Sequence, residues 1–221
     1  MNETDDDWVS EALRFADESR AEMGVEPSSL RPRRTEAFLK GPVSLSWVTR
    51  AATLPGASLV VALAIRFLRD RYPKKTTWST AEIGWRVGRE EQAARRALRS
   101  LSRAGLIAMD RRPGNKPTLV FRDLPDSEDP GYPLWGPIPW RWWRAVSSLP
   151  GKAPQVGLAC WLQAGWDRSA CFELASSWPT LGLSRSSMYR GLACLEKAGL
   201  IAVKRHRKRA PIVALLDHVV R

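Results

Sequence analysis

GREEQAARRALRSLSRAGLIAMDRR at residues 88–112 and GLSRSSMYRGLACLEKAGLIAVKRH at 182–206 decide how this chain folds. Aligned at an offset of 94, they share 9 of 21 residues across 88–108. Each reads as a helix that stops at Ala104-Gly105 or Ala198-Gly199, where glycine can take a left-handed cap. Each then runs into an apolar strand start, Leu106-Ile107-Ala108 or Leu200-Ile201-Ala202. The likeness extends upstream. GPVSLSWVTRAATLPGASLVVALAIRF (41–67) matches GPIPWRWWRAVSSLPGKAPQVGLACWL (136–162) at an offset of 95, with 9 identities in 27 positions. A repeat of this length exceeds the roughly 20–50-residue period of solenoid units and reads as a duplicated domain.

Each repeat parses alike. Pro42 or Pro139 opens a first helix, which stops at Leu54-Pro55-Gly56 or Leu149-Pro150-Gly151. Proline lacks an amide proton and glycine tolerates unusual dihedrals, so these triplets end it. A very apolar second helix follows. Leu59, Leu63 and Phe67 form one stripe and Val60, Ala64 and Leu68 the next, which places this helix at the centre of the core. A short third helix is expected near 80–87 or 176–181, and a fourth after Gly88 or Gly182. Thr118–Phe121 and Ile212–Leu216 are the return strands.

Ahead of the repeats, residues 5–23 predict a helix. Asp5, Asp6 and Asp7 suit its positive N-terminal end, and Trp8, Ala12, Phe15 and Ala16 recur at helical spacing. Residues 24–36 read as a linker. RDLPDSEDPGYP (122–133), with three prolines and four acids, reads as an exposed join between the repeats. The expected organisation is an acidic helical arm and linker at 1–36 and a domain at 37–122. An acidic proline-rich linker at 123–135 and a second domain at 136–221 follow. Each domain is large enough for its own core.

The 221 residues carry a net charge of +12, unevenly spread. Residues 1–26 hold nine acids and two arginines, a net of −7, which leaves +19 on the rest. A body this basic points to a polyanionic partner, nucleic acid before membrane. No apolar run reaches the roughly 20 residues of a membrane span. Cys160, Cys171 and Cys194 show no metal-ligand spacing, and no signal peptide is read ahead of them. They fit buried thiols of a reducing cytoplasm, and Cys160 aligns with Ile65, a core position.

The segment Leu181-Gly182-Leu183-Ser184-Arg185-Ser186-Ser187-Met188-Tyr189-Arg190 resembles the turn and recognition-helix start of the winged helix-turn-helix family. Leu192, Leu195 and Ala198-Gly199-Leu200-Ile201 resemble that family's core-facing half-helix and the start of its wing. The resemblance covers roughly 41–122 and 136–217, and is better in the second repeat. It implies a mainly α fold with small β-hairpin wings: two tandem winged-helix domains from an internal duplication, preceded by the acidic helix. It also implies that helix N-termini enter the major groove of duplex DNA.

On that reading Ser184 is the N-cap, and Arg185, Ser186, Ser187, Tyr189 and Arg190 face bases or phosphates. The first repeat departs from the pattern. Its helix is expected to begin Arg89-Glu90-Glu91-Gln92, and two acids there repel phosphate. Gln92, Arg95, Arg96 and Arg99 remain as candidate contacts. This domain is either a weaker reader of a different half-site, the favoured reading, or a docking domain. The wings are basic: Lys204, Arg205, Arg207, Lys208 and Arg209 in the second, Arg111, Arg112 and Lys116 in the first. Such hairpins give affinity independent of sequence by releasing counterions. Trp140-Arg141-Trp142-Trp143-Arg144 looks like a stacking platform for single strands. Its alignment with Leu45, Trp47 and Val48 assigns the tryptophans to the core instead.

No phosphate-binding glycine loop, metal-ligand cluster or nucleophile–base set is visible, so no enzyme, cofactor or metal is expected. The expected function is sequence-specific binding of duplex DNA at an asymmetric site by two unlike heads, as a nucleoid-associated transcriptional regulator. The layout is also similar to some plasmid replication initiators, which keeps open a role in plasmid or phage replication or in organising DNA. A winged-helix scaffold for protein partners, docking through Trp8, Ala12 and Phe15, is the alternative of a different class. A monomeric pseudo-dimer and a homodimer both fit. The −7/+19 split predicts that the arm competes with DNA for the basic surface. Deleting residues 1–26 is expected to raise duplex affinity several-fold in a titration at physiological salt, and equal or lower affinity would rule this competition out.

Overall fold

The computed structural model describes Arg14, Glu18 and residues 37–40, 43–110, 117–121, 137–167, 171–173, 181–205 and 211–216. Arg14 and Glu18 are helical and exposed. The rest of the arm at 1–36, including Trp8, Ala12 and Phe15, and the linker at 123–135 lie outside the described residues. Among the described residues the chain is mainly helical, with small antiparallel sheets. No helix there is long and apolar enough to cross a membrane.

In the first half, β1 (Phe38–Leu39) precedes α1 (Leu45–Thr53), α2 (Ser58–Arg71), α3 (Thr80–Arg86) and α4 (Glu91–Arg103), followed by the hairpin β2 (Ile107–Asp110) and β3 (Thr118–Phe121). In the second half, β4 (Ile138–Pro139) leads into α5 (Trp140–Ser148) and α6 (Ala153–Asp167). Then come β5 (Cys171–Glu173), α7 (Arg185–Lys197), and the hairpin β6 (Ile201–Lys204) and β7 (Ile212–Leu215). The segment expected to form a short helix at 176–181 is described only at Leu181.

Local chemistry accounts for the boundaries. Ser44 caps α1 by accepting the Trp47 amide at 3.4 Å, so the helix starts three residues after Pro42. Ser79 caps α3 by accepting the Glu82 amide at 3.0 Å, and the Glu82 carboxylate accepts from Lys75 Nζ at 3.0 Å. Helices α4 and α7 end alike. The amide of Leu106 reaches back to the Leu101 carbonyl, and that of Leu200 to the Leu195 carbonyl, both at 3.0 Å. Such a closure needs a left-handed residue, supplied by Gly105 (φ 72°) and Gly199 (φ 67°).

Both hairpins gain a third strand partner. In the second half the sheet order is β5-β7-β6. In the first, Thr77 bridges Thr118 and the Leu119 amide donates to the Thr76 carbonyl at 2.9 Å. The residues after α2 and after α6 therefore close each hairpin, a pairing with no clear strand alternation in the sequence.

The two halves share one packed core. Leu59, Leu63, Phe67, Val60, Ala64 and Leu68 of α2 are all buried. So are Trp140, Trp142 and Trp143 of α5, the core position that alignment with the first repeat assigns them. Phe67 stacks on Trp140 with ring centroids 3.7 Å apart and planes 7° from parallel. Strand β1 pairs antiparallel with β4, Leu39 opposite Ile138. The buried Gln155 donates from Nε2 to the Ala52 carbonyl at 2.7 Å.

Contacts across the seam are reciprocal. A Cβ placed on Gly88 would lie 3.2 Å from Ser148 Cβ, and one on Gly182 would lie 4.0 Å from Thr53 Cγ2. Gly88 aligns with Gly182 and Thr53 with Ser148. The turn before the fourth helix of each half thus packs on the end of the first helix of the other. Residue i meeting j while j meets i is the mark of a two-fold interface, here within one chain.

The halves differ where α6 meets α7. A Cβ on Gly191 would lie 2.4 Å from Val156 Cγ2 and 2.9 Å from Val156 Cβ. The aligned pair in the first half is Ala97 and Val61, both buried. Replacing Gly191 by alanine is expected to cost about 1–3 kcal/mol by overpacking. Urea unfolding of Gly191→Ala, and of the same variant with Val156→Ala, checks this: the second substitution should recover part of the loss.

Candidate nucleic-acid interface

Helix α7 buries Met188, Gly191, Leu192 and Leu195 and turns Arg185, Ser186, Arg190, Ala193 and Lys197 to solvent. Ser184 sits at its N-cap. The Ser184 hydroxyl accepts the Ser187 amide at 3.3 Å, donates to Ser187 Oγ at 2.9 Å and lies 3.2 Å from Ser186 Oγ. This small hydroxyl network sets the geometry of the helix start. Arg185 and Arg190 leave from the same first turns. The Arg185 guanidinium carbon stands 5.9 Å from the Tyr189 ring centroid, and Arg190 Nε donates to the Ser186 carbonyl at 3.4 Å. Tyr189 is half-buried against the core, so its ring supports Arg185. Ser187 is half-buried as well.

Helix α4 begins later than its sequence suggests. Glu90 is the N-cap, with extended backbone (φ −62°, ψ 150°) and no side-chain capping bond, and Glu91 is the first helical residue. Arg89 therefore precedes the helix. Its Nη2 donates to the Leu149 carbonyl at 2.6 Å, across the seam. Partial burial lowers the pKa of this guanidinium. Gln92, Arg95, Arg96 and Arg99 are exposed or half-exposed on α4. Arg95 is held by Glu91 at 2.8 Å. Arg96 and Arg99 have no ion-pair or hydrogen-bond partner among the described residues, and neither does Arg103, which sequence reasoning passed over. Its spacing to Arg96 and Arg99 was the available signal, since positions three, four and seven apart share a helix face.

The wings are described only at their bases. Lys204 is half-buried in β6. The exposed Arg205 forks onto Glu196, Nη2 to Oε2 at 2.6 Å and Nη1 to Oε1 at 3.2 Å. That hydrogen bonding raises the Arg205 pKa. Arg207, Lys208 and Arg209 of the second tip, and Arg111, Arg112 and Lys116 of the first, lie outside the described residues.

Trp85 is an exposed aromatic that the sequence reading missed, 61% accessible at the end of α3. Thr80, Ile83, Gly84 and Val87 form the buried stripe of that helix, so Trp85 falls on the opposite face by spacing alone. Arg144 of α5 stands 4.9 Å from its ring centroid, and Arg86 5.5 Å. Arg141 and Arg144 are exposed, as substitutions for Ser46 and Thr49 imply.

Cys160 and Cys171 are buried, whereas Cys194 is half-buried on α7, a departure from three buried thiols. Full burial among apolar side chains pushes the Cys160 thiol pKa up, which keeps it protonated. Among the described residues no group of three or more His, Cys, Asp or Glu could hold a metal ion. Comparison of the chain with protein families, curated proteins and solved structures returns no match.

The cap gives the direct test of this site's construction. Ser184→Ala is expected to lose about 1 kcal/mol and Ser184→Gly only a few tenths, because glycine still permits the cap backbone. Thermal unfolding of the two variants checks the order.

Proposed function

We propose that the chain binds duplex DNA through two winged-helix domains descended from one duplicated unit, reads an asymmetric site, and acts as a transcriptional regulator. The observation that carries this is the matched pair α4 and α7. Each follows a left-handed glycine, ends on the same glycine closure and runs into an antiparallel hairpin. Each also turns cations outward, Arg96, Arg99 and Arg103 on one and Arg185, Arg190 and Lys197 on the other. A helix of this kind with a free basic face suits the major groove, where arginine can pair bidentately with guanine.

The two faces differ in the groups they offer a base. Gln92 suits adenine, whereas Arg185 and Ser186 suit guanine and phosphate. Unlike heads on one chain read unlike half-sites, so the bound sequence lacks a dyad. Arg95 and Arg205 contribute less than their charge suggests, because Glu91 and Glu196 hold them. The contact set favoured here is Gln92, Arg96, Arg99, Arg103, Arg185, Ser186 and Arg190, with the basic wing tips adding affinity of no sequence preference.

Selection of bound duplexes from a random pool at physiological salt tests the reading, with an enriched asymmetric motif expected. Arg185→Ala and Arg190→Ala should each cost about 1–3 kcal/mol on the selected site and relax the preference at one position. Neutralising Arg207, Lys208 and Arg209 should weaken all duplexes alike and reduce the salt slope by about one for each phosphate no longer neutralised. Unchanged binding in both sets would favour a protein scaffold instead.

A further inference from the structure

A row of three depressions, together a trough, crosses the seam between α4 and α7. At one end Pro55, Gly56 and Ala57 face Arg96, Ser100 and Arg103 of α4. At the other, Pro150, Gly151 and Lys152 face Ser187, Arg190 and Cys194 of α7. Pro55 aligns with Pro150, Arg96 with Arg190, and Ser100 with Cys194, so the two ends are matched in position. The middle shares Gly56 and Ala57 with the first end and Gly151 and Lys152 with the second, and adds Arg89 and Gln155. The three depressions therefore adjoin one another, with lining residues in common, in the space between the two helices.

Its lining is basic and low. Arg96, Arg99 and Arg103 stand at one end, Arg89 and Lys152 in the middle, and Arg190 at the other. No Asp or Glu is among the described residues that line it. Nη2 of Arg89 is held by the Leu149 carbonyl, which fixes that charge at the middle of the trough. Gly56, Ala57 and Gly151 keep the walls small, which lets a backbone approach closely. The seam is closed by the stacked Phe67–Trp140 pair and by the buried bond to Ala52 from Gln155, which also lines the trough.

We propose that this trough seats the sugar-phosphate backbone of duplex DNA between the two half-sites, and so fixes the spacing at which α4 and α7 can bind together. The proposal rests on the DNA-reading function above and specifies its middle contact. A seam packed through one core resists a change of spacing. One inserted base pair moves a half-site by about 3.4 Å and turns it by about 35°.

The test uses the full chain on its selected duplex, with 1, 5 and 10 base pairs inserted between the half-sites and with ethylation interference at each phosphate. One inserted pair should weaken binding about 100-fold, and central phosphates should interfere when ethylated. Lys152→Gln, an exposed position, should weaken binding several-fold, lower the salt slope by about one and leave the preferred sequence unchanged. Equal affinity across the spacer series, or silent central phosphates with an unchanged slope for Lys152→Gln, would overturn the trough while leaving DNA reading intact. Failure to select any duplex would overturn both.

Discussion

The stacking of Phe67 on Trp140 is the contact on which the arrangement depends. One ring comes from the long apolar helix α2 and the other from the first turn of α5, and they meet face to face at 3.7 Å. Aromatic pairs add about 0.5–1.5 kcal/mol beyond the apolar area they bury, and this pair lies inside a core that runs unbroken through both halves. Strand β1 pairing with β4, and Gln155 reaching the Ala52 carbonyl, close the same seam with polar bonds. The relative placement of α4 and α7 is thus a property of packing and not of a tether.

Local partners decide which arginines remain free. Nη2 of Arg89 is held by the Leu149 carbonyl across the seam, and Arg50 by that of Ala104 within the first half. Arg95 and Arg205 are paired with carboxylates on the surface, where such bonds add at most about 1 kcal/mol. The remaining cations of α4 and α7 concentrate on their outer faces. A formal charge of +12 says little about where attraction is exerted. The local pairing of each guanidinium does.

Much of this was legible in the residues. The apolar stripes of α2, the proline–glycine stops at 55–56 and 150–151, and the core role of Trp142 and Trp143 follow from spacing and from alignment of the repeats. The hairpins followed from the glycine closures at Gly105 and Gly199. What escaped was long-range. Cys171–Glu173 is too short and irregular to announce a strand, and it is ordered by pairing with β7. The seam joins residues 60 or more positions apart, such as Arg89 and Leu149, and no local pattern encodes such a pairing. Arg89 reads as part of a helix because the acids after it suit a helix start. The backbone instead places the N-cap at Glu90 and frees Arg89 for the other half.

Trp85 gives the molecule a direction. The seam is close to two-fold in its turns and helix ends, but Trp85 stands on α3 of the first half alone, beside α5 of the second. The exposed ring, flanked by Arg86 and Arg144, therefore marks one side of a nearly symmetric body. A homodimer built on the same seam would carry that ring twice and have no front or back. Among the described residues no other tryptophan is this exposed, so a molecule that recognises the ring would be placed at the same flank each time.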